Sequence, residues 1–435
     1  MRFEFLKLVM VSRAPVGSYT SKLVKGFSLA LPNDEVKVLG RKGETRNERY
    51  ITMIGTWTSN LFPFQIFRQV CRDKPEVVHV QHEFGMFGKP ATMSMVPLLY
   101  LFLRLLRVKI VSTIHSTIFP DSLSDGSVGE LLPIASWIPT IVVEVGLHLV
   151  YGPACRLSNL VIVHQQSQKK KLQRYYRINA DKVAFIPHGV GRTEYAASED
   201  SLSRWKSTIR NRRVALYFGY LSPRKGIDYL LDAFEKFSTK EPQWMLIVAG
   251  GFSKDYFRPY FERIKESIST KNLKDRILMT GFLPEGDADA VFRLCDLVVL
   301  PYTHVVGNAS ACNLAMGYGK PIIATNISPF PEEIVSGRDG ILCFPEDAGQ
   351  ILAAMEKLAN DTQLYADMCR NVQAICTSRD WDAIARCTHR LYESAIAGNN
   401  TVSDSAHMDF ETREMCTLPP EKLYGFRIVG GSECA

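Results

Sequence analysis

Arg224 and Lys225 stand side by side in "FGYLSPRKGIDYLLDAF", between an apolar run that reads as a strand ending at Gly219 and a periodic run that reads as a helix from Ile227. Pro223 starts a turn, and Gly226 lets backbone approach closely. Two cations beside the free N–H groups of a helix N-terminus suit a diphosphate, whereas a solvated surface turn is the plainer use of the same residues. A second stretch, "PYTHVVGNASACNLAMGYGKPIIAT" (301–325), reads as a strand end, a loop of small neutral residues, a helix entered near Ala309–Asn313, and another strand. Its Gly307, Asn308, Ala309, Ser310 and Asn313 offer backbone amides and neutral hydrogen-bonding groups to an anion or nucleotide, but no carboxylate. Two further strand ends carry ionisable groups. His115 closes "KIVSTIH", and His82 with Glu83 follows "EVVHVQ", where Gly85 and Gly88 bend the loop. There an imidazole and a carboxylate can hydrogen-bond the hydroxyls of a ligand, or they can pair with each other and cap a helix.

The elements that must position these residues come in two series. "FLKLVMV", "EVKVL", "EVVHVQ", "KIVSTI", "LVIVH" and "KVAFIP" precede "VALYFG", "WMLIVAG", "RILMTG", "LVVLPY", "PIIAT" and "GILCF", with helix-like segments between them. Continuous apolar strands alternating with helices imply parallel sheets covered on both faces. The expected fold is α/β, with two doubly wound Rossmann-like domains facing across a cleft and ligands at the carboxyl ends of the strands. The polar passage "IPHGVGRTEYAASEDSLSRW" separates the series. Expected boundaries are 1–205 for the first domain, 206–377 for the second, 378–397 for a helix crossing back to the first, and 398–435 for a loosely ordered tail.

Composition narrows the class. With 435 residues, 46% apolar and 22% charged, the chain is globular and too long for one core. Its ten cysteines include no CxxC and several lie in apolar runs, which implies reduced thiols in the cytoplasm and neither a disulfide framework nor a zinc site. The opening residues lack the pattern of a signal peptide. Residues 1–200 hold 25 Lys/Arg against 16 Asp/Glu, and the rest 27 against 29, so the first half prefers anionic partners. Nucleic acid is excluded as that partner, because no aromatic-interleaved basic motif is present. The apolar runs Met95–Lys109 and Leu131–Tyr151 are read as core helices. A peripheral surface on the inner face of a membrane, reaching a lipid-linked acceptor, and a homodimer contact are the alternatives; a spanning helix is excluded by length, prolines and Glu144.

The segment around Lys225 resembles the "G-R-L-x-x-x-K-G-x-x-x-L-L-x-A-F" signature of family-4 retaining glycosyltransferases of the GT-B fold. The likeness continues through "LIVAGG", "MTGFLPEGDADAVFRLCDLVVLPY", "AMGYGKPIIATNISPFPEEIVSGRDGILCFPEDAGQI" and "WDAIARCTHRLYESA", and reaches back to "VVHVQHEFGMFG", "IVSTIHST", "LVIVHQQSQKKKLQRYY" and "KVAFIPHGV". By this resemblance Lys225 holds the donor diphosphate, Gly17 in "SRAPVGSYT" brings backbone amides to it, and His115 is the cleft histidine that contacts the donor sugar. The chain departs from the pattern in three places. Tyr220 stands where the family has an arginine, with Arg224 offered as its substitute. Val306 and Leu314 stand where the family has two glutamates.

The resemblance implies a hexosyltransferase that moves a sugar from a UDP- or GDP-linked donor to a glycan, lipid-linked or small-molecule hydroxyl acceptor. It makes 1–205 the acceptor-side domain and 206–377 the nucleotide-sugar domain, with Gly307, Asn308, Ala309, Ser310 and Asn313 at the donor sugar and ribose and His82 and Glu83 at the acceptor. It implies retention, and neither metal nor cofactor. The missing glutamates favour the alternative, a non-catalytic subunit that binds a nucleotide-sugar or a partner.

Overall fold

The computed structural model describes residues 6–399 except 14–17, 49, 59, 84–85, 89, 121–138, 194, 253–254 and 306–308. Gly17, Val306, Gly307, Asn308 and the expected tail from 400 onward therefore lie outside the described residues.

Fourteen described strands form two sheets. The first holds β1 (Lys7–Val11), β2 (Glu35–Arg41), β3 (Arg46–Glu48), β4 (Ile51–Trp57), β5 (Val77–His82), β6 (Lys109–Ile114), β7 (Leu160–Val163) and β8 (Val183–Phe185). Its order is β3-β4-β2-β1-β5-β6-β7-β8. Only β3 pairs antiparallel, to β4. The second holds β9 (Arg213–Phe218), β10 (Trp244–Ala249), β11 (Ile277–Gly281), β12 (Leu297–Leu300), β13 (Ile322–Thr325) and β14 (Gly340–Cys343), in the order β11-β10-β9-β12-β13-β14 with every pairing parallel. Strand order reverses at β1 and at β9, so each sheet opens a crevice at the carboxyl end of its first strand.

The central strands are buried almost throughout because helices cover both faces. On the first sheet Leu8 and Met10 pack toward the helices Tyr19–Ala30 and Trp381–Ile396. Val9 and Val11, pointing the other way, pack toward the helices Phe62–Asp73, Val96–Leu105 and Thr140–Leu157. Each such fully buried Leu or Val contributes about 1.5–3 kcal/mol. In the second domain the helix Ile227–Lys240 shows the same logic: Ile227, Leu230, Leu231, Phe234 and Phe237 form its buried stripe.

Two connections cross between the domains. The helix Glu199–Ile209 buries Trp205 and Ile209 in the second core, so the expected boundary at 205/206 falls inside it and the outward crossing precedes Glu199. The helix Trp381–Ile396 returns, burying Ile384, Leu391 and Tyr392 with Leu23, Val24 and Phe27 of the first domain. A third link is polar: the Glu332 carboxylate accepts the backbone N–H groups of Gln166 (2.6 Å) and Ser167 (3.1 Å), capping a first-domain helix from the second domain.

Candidate functional site

Two adjoining cavities of about 540 and 290 Å³ lie between the domains, sharing Ser18, Tyr19, His188 and Ser310 in their walls. Arg224 and Lys225 line the larger. They sit on a 3-10 turn, Pro223–Lys225, whose position is fixed by backbone: Thr303 and His304 donate N–H groups to the Arg224 carbonyl at 2.9 and 3.3 Å. The next residue, Gly226, has φ +63° and lies so close to β12 that a Cβ would be 1.9 Å from the Pro301 carbonyl oxygen. No other residue type fits there without moving the turn. The Lys225 ammonium rests 3.5 Å from the centroid of the buried Tyr302 ring, a cation–π contact that holds it at the cleft.

Ala309, Ser310, Ala311, Asn313 and Leu314 line the same cavity. The helix Ser310–Gly317 begins there without a side-chain cap, so its first N–H groups face the space beside Lys225. Asn313 is buried, and its Oδ1 lies 3.4 Å from Arg379 Nη2. That arginine pairs with the buried Glu333 (2.7 Å) and donates to the His188 carbonyl (2.7 Å). Tyr220 and Phe282 stand at the mouth, both more than half exposed and in edge contact at 5.4 Å. From the first domain come Ser18, which caps the helix Tyr19–Ala30, together with Lys22 and Trp381. Among the described residues that line the two cavities, the charged ones are Arg13, Lys22, Arg224 and Lys225 against the single carboxylate Glu83.

The smaller cavity is built from strand ends of the first sheet. Glu83 and His115 both line it. The cleft walls push the Glu83 pKa up, with the nearby Arg13 opposing. His115 is tied inward at both ring nitrogens: Nε2 lies 2.7 Å from Gln81 Oε1 and Nδ1 3.3 Å from His164 Nε2. His164 in turn donates its Nδ1–H to the Ile186 carbonyl at 2.9 Å. Two neutral rings between two carbonyl-type acceptors have three links and only two protons. A third proton would charge the pair, and burial followed by the neighbouring His164 holds the His115 pKa well below its ordinary value. Turning the Gln81 amide end for end supplies the missing donor and closes the chain with both rings neutral.

The expected contact of His115 with a donor sugar is thus not made by a free nitrogen; its ring forms the wall. His82 is placed differently from the expectation. It is fully buried, edge-on to Tyr151 at 5.4 Å, and lines neither cavity. Because β5 residues alternate between the sheet's faces, Gln81 and Glu83 turn toward the cleft and His82 turns away. The expected pairing of His82 with Glu83 is not made, and the acceptor contact expected of His82 falls to a side chain set back from both cavities. Sequence reasoning missed Arg13, Tyr19, Lys22, His188 and Trp381, although "SRAPVGSYT" and the final tryptophan helix were both singled out. Among the described residues no group of three or more His, Cys, Asp or Glu could hold a metal.

Residues 34–193 match the family model Glycosyltransferase Family 4, and residues 200–374 match Glycosyl transferases group 1. Alpha-D-kanosaminyltransferase of Streptomyces kanamyceticus is 23% identical over 335 residues, covering 74% of this chain and 79% of that protein. D-inositol 3-phosphate glycosyltransferase of Corynebacterium glutamicum is 23% identical over 261 residues, covering 58% and 60%. The chain thus spans about 60% of the length of some curated relatives that it matches. Among solved structures, Anabaena HepE in complex with UDP superposes with a TM-score of 0.67 at 18% identity over 89% of this chain and 100% of that one. Sucrose-phosphate synthase from Thermosynechococcus elongatus gives 0.68 at 18% identity over 90% and 100%. The fold is that of GT-B glycosyltransferases.

Proposed function

We propose that this chain, a GT-B glycosyltransferase by its two family matches and its fold, moves a hexose from a nucleotide-sugar to a hydroxyl acceptor with retention of configuration and without a metal. The observation that carries the reading is the larger cavity: two adjacent cations on a backbone-clamped turn, beside an uncapped helix N-terminus, with no carboxylate among the described residues of its wall. That arrangement favours a diphosphate and disfavours a neutral or cationic ligand. In the transition state, charge builds on the departing diphosphate and on an oxocarbenium-like sugar. Lys225, Arg224 and the Ser310–Gly317 helix stabilise the former, and the protein's main contribution is position.

UDP is the favoured nucleotide, because HepE was solved with it. The exposed Tyr220 and Phe282 rings flank the cavity mouth where a base can stack. Gly307, Asn308, Ala309, Ser310 and Asn313 take the sugar and ribose in our reading, with Gly17 at the diphosphate. The acceptor enters through the smaller cavity, where Glu83, its pKa raised, accepts the hydrogen bond of the attacking hydroxyl. His115 supports this site as a neutral wall.

The second reading, a non-catalytic nucleotide-sugar-binding subunit, is favoured by Leu314, an apolar residue in the cavity wall where the family carries a carboxylate. Thermal stabilisation by UDP-, GDP- and ADP-sugars identifies the donor. Transfer or donor hydrolysis by the isolated chain then decides between the readings: stabilisation without either reaction would establish the binding subunit, and no stabilisation by any nucleotide-sugar would overturn both.

A further inference from the structure

The outer face of one helix layer is unusually apolar. Among the described residues, eight of fourteen exposed large hydrophobics lie on or beside three helices of the first domain, Phe62–Asp73, Val96–Leu105 and Thr140–Leu157. These helices share one core on one side of the sheet, so their outward stripes face the same way. On Thr140–Leu157 the exposed residues Ile141, Val142, Val145 and Leu149 fall within one narrow arc at 100° per residue. Leu101 and Leu105 continue the patch on Val96–Leu105.

Charge surrounds it. The three helices and the adjoining Gln166–Tyr176 carry eight Lys or Arg against two Asp or Glu. The acids are Glu144 and Asp73, and the latter is paired with Lys37 at 2.7 Å. Lys169, Lys170, Lys171 and Arg174 form the densest basic run. No described helix is long and apolar enough to cross a membrane.

We infer that this face docks on the surface of an anionic lipid bilayer, with the stripe of Thr140–Leu157 seated at the headgroup boundary and the basic residues on the lipid phosphates. An apolar stripe bordered by Lys and Arg meets both requirements of an interfacial helix: buried apolar area and attraction to anionic lipid. A second copy of the chain is the poorer occupant, because a two-fold contact would press the same excess of cations against itself. The helix runs back from the carboxyl edge of the sheet to β7, so Ile141 and Val142 lie at its cleft-side end. Docking thus holds the cleft at the level of the bilayer.

The test is flotation of the full chain with vesicles of phosphatidylcholine alone and of phosphatidylcholine mixed with phosphatidylglycerol. The expected result is recovery with the anionic vesicles, falling as salt rises. The double substitution Val145→Asp, Leu149→Asp should weaken partitioning about tenfold or more with an unchanged melting temperature, since both side chains are exposed. Leu29→Asp, exposed on the helix Tyr19–Ala30 that covers the other face, should leave partitioning unchanged. If the double variant fails to fold, the charge reversal Arg104→Glu with Lys170→Glu takes its place, with the same loss expected. Equal recovery in the vesicle-free fraction for all lipids overturns the inference. So does a dimer in light scattering that Val145→Asp, Leu149→Asp splits, since that would assign the face to a second copy.

Discussion

On the second-domain side of the cleft, the cavity-lining cations are held by backbone: Arg224 and Lys225 ride a turn that Gly226, Thr303 and His304 pin to β12. On the first-domain side, β5 and the neighbouring strand ends carry His79, His82, His115, His164 and His188, whose rings burial keeps uncharged. His79 reaches Tyr392 (2.5 Å) and Thr113 (2.7 Å), so a polar chain runs from the returning helix through the sheet to the cavity. The difference shows how one cleft treats charge in two ways. Cations survive where solvent, a helix end and an aromatic face stabilise them; buried imidazoles lose their protons and serve as rigid, neutral spacers.

The largest break in this comparison comes from Gly226→Ala. A Cβ at that position meets backbone, and the left-handed conformation adds strain, so stability should fall by about 3 kcal/mol or more in chemical denaturation and UDP affinity should fall with it. Full stability with unchanged affinity would remove the backbone clamp from the argument.

Acid should break the other wall. The buried histidines have folded pKa values of about 3 (His79, His164) and about 4 (His82, His188), below the ordinary 6.5. Between 6.5 and those values the unfolded chain binds more protons, so their stability is present above pH 6.5 and is lost as pH falls toward 4. Each neutral histidine steepens the loss by about 1.4 kcal/mol per pH unit. A melting temperature flat from pH 7 to 5 would contradict this.

Lys225→Ala sharpens the comparison. It removes one charge-assisted phosphate contact, which costs about 1.5–3 kcal/mol of nucleotide-sugar affinity, or about tenfold to a hundredfold by calorimetry. The histidine wall should be unaffected, seen as an unaltered acid limb of the stability profile. A smaller and more selective effect is expected from Ala309→Leu, at a nearly buried position in the larger cavity. The nucleotide-sugar should be excluded while UDP alone binds within about threefold of the parent. Equal losses for both ligands would mean that the residue faces the diphosphate and not the sugar.

Much of the fold was legible along the chain. Twelve of the fourteen described strands are apolar runs that could be read directly; the two overlooked are β3, "RNE", and β4, "ITMIGTW". Those two lie at the edge of the first sheet, where one side is open and polar residues with a glycine replace the continuous apolar signal. The domain boundary was displaced because the helix Glu199–Ile209 looks polar except for the few side chains it buries. The site was legible only in part. Arg224, Lys225 and the small-residue loop were visible because turn chemistry and adjacent charges are local, whereas Arg13, Lys22 and Trp381 join them only through the packing of the two domains against each other.

The sequence by itself determined the two parallel sheets, the cleft between them, and the turn that carries Lys225, since apolar periodicity and a glycine with a required backbone conformation act over a few residues. Only the tertiary structure decided which strand-end residues face the cleft. His82 and Glu83 are neighbours in the chain, yet pleating sends one into the core and the other to the cavity. His115 keeps its place at the cleft but spends both nitrogens on Gln81 and His164, partners 34 and 49 residues away. Side-chain type names what a residue can do; burial and distant hydrogen-bond partners, which no local pattern encodes, fix what it is left free to do.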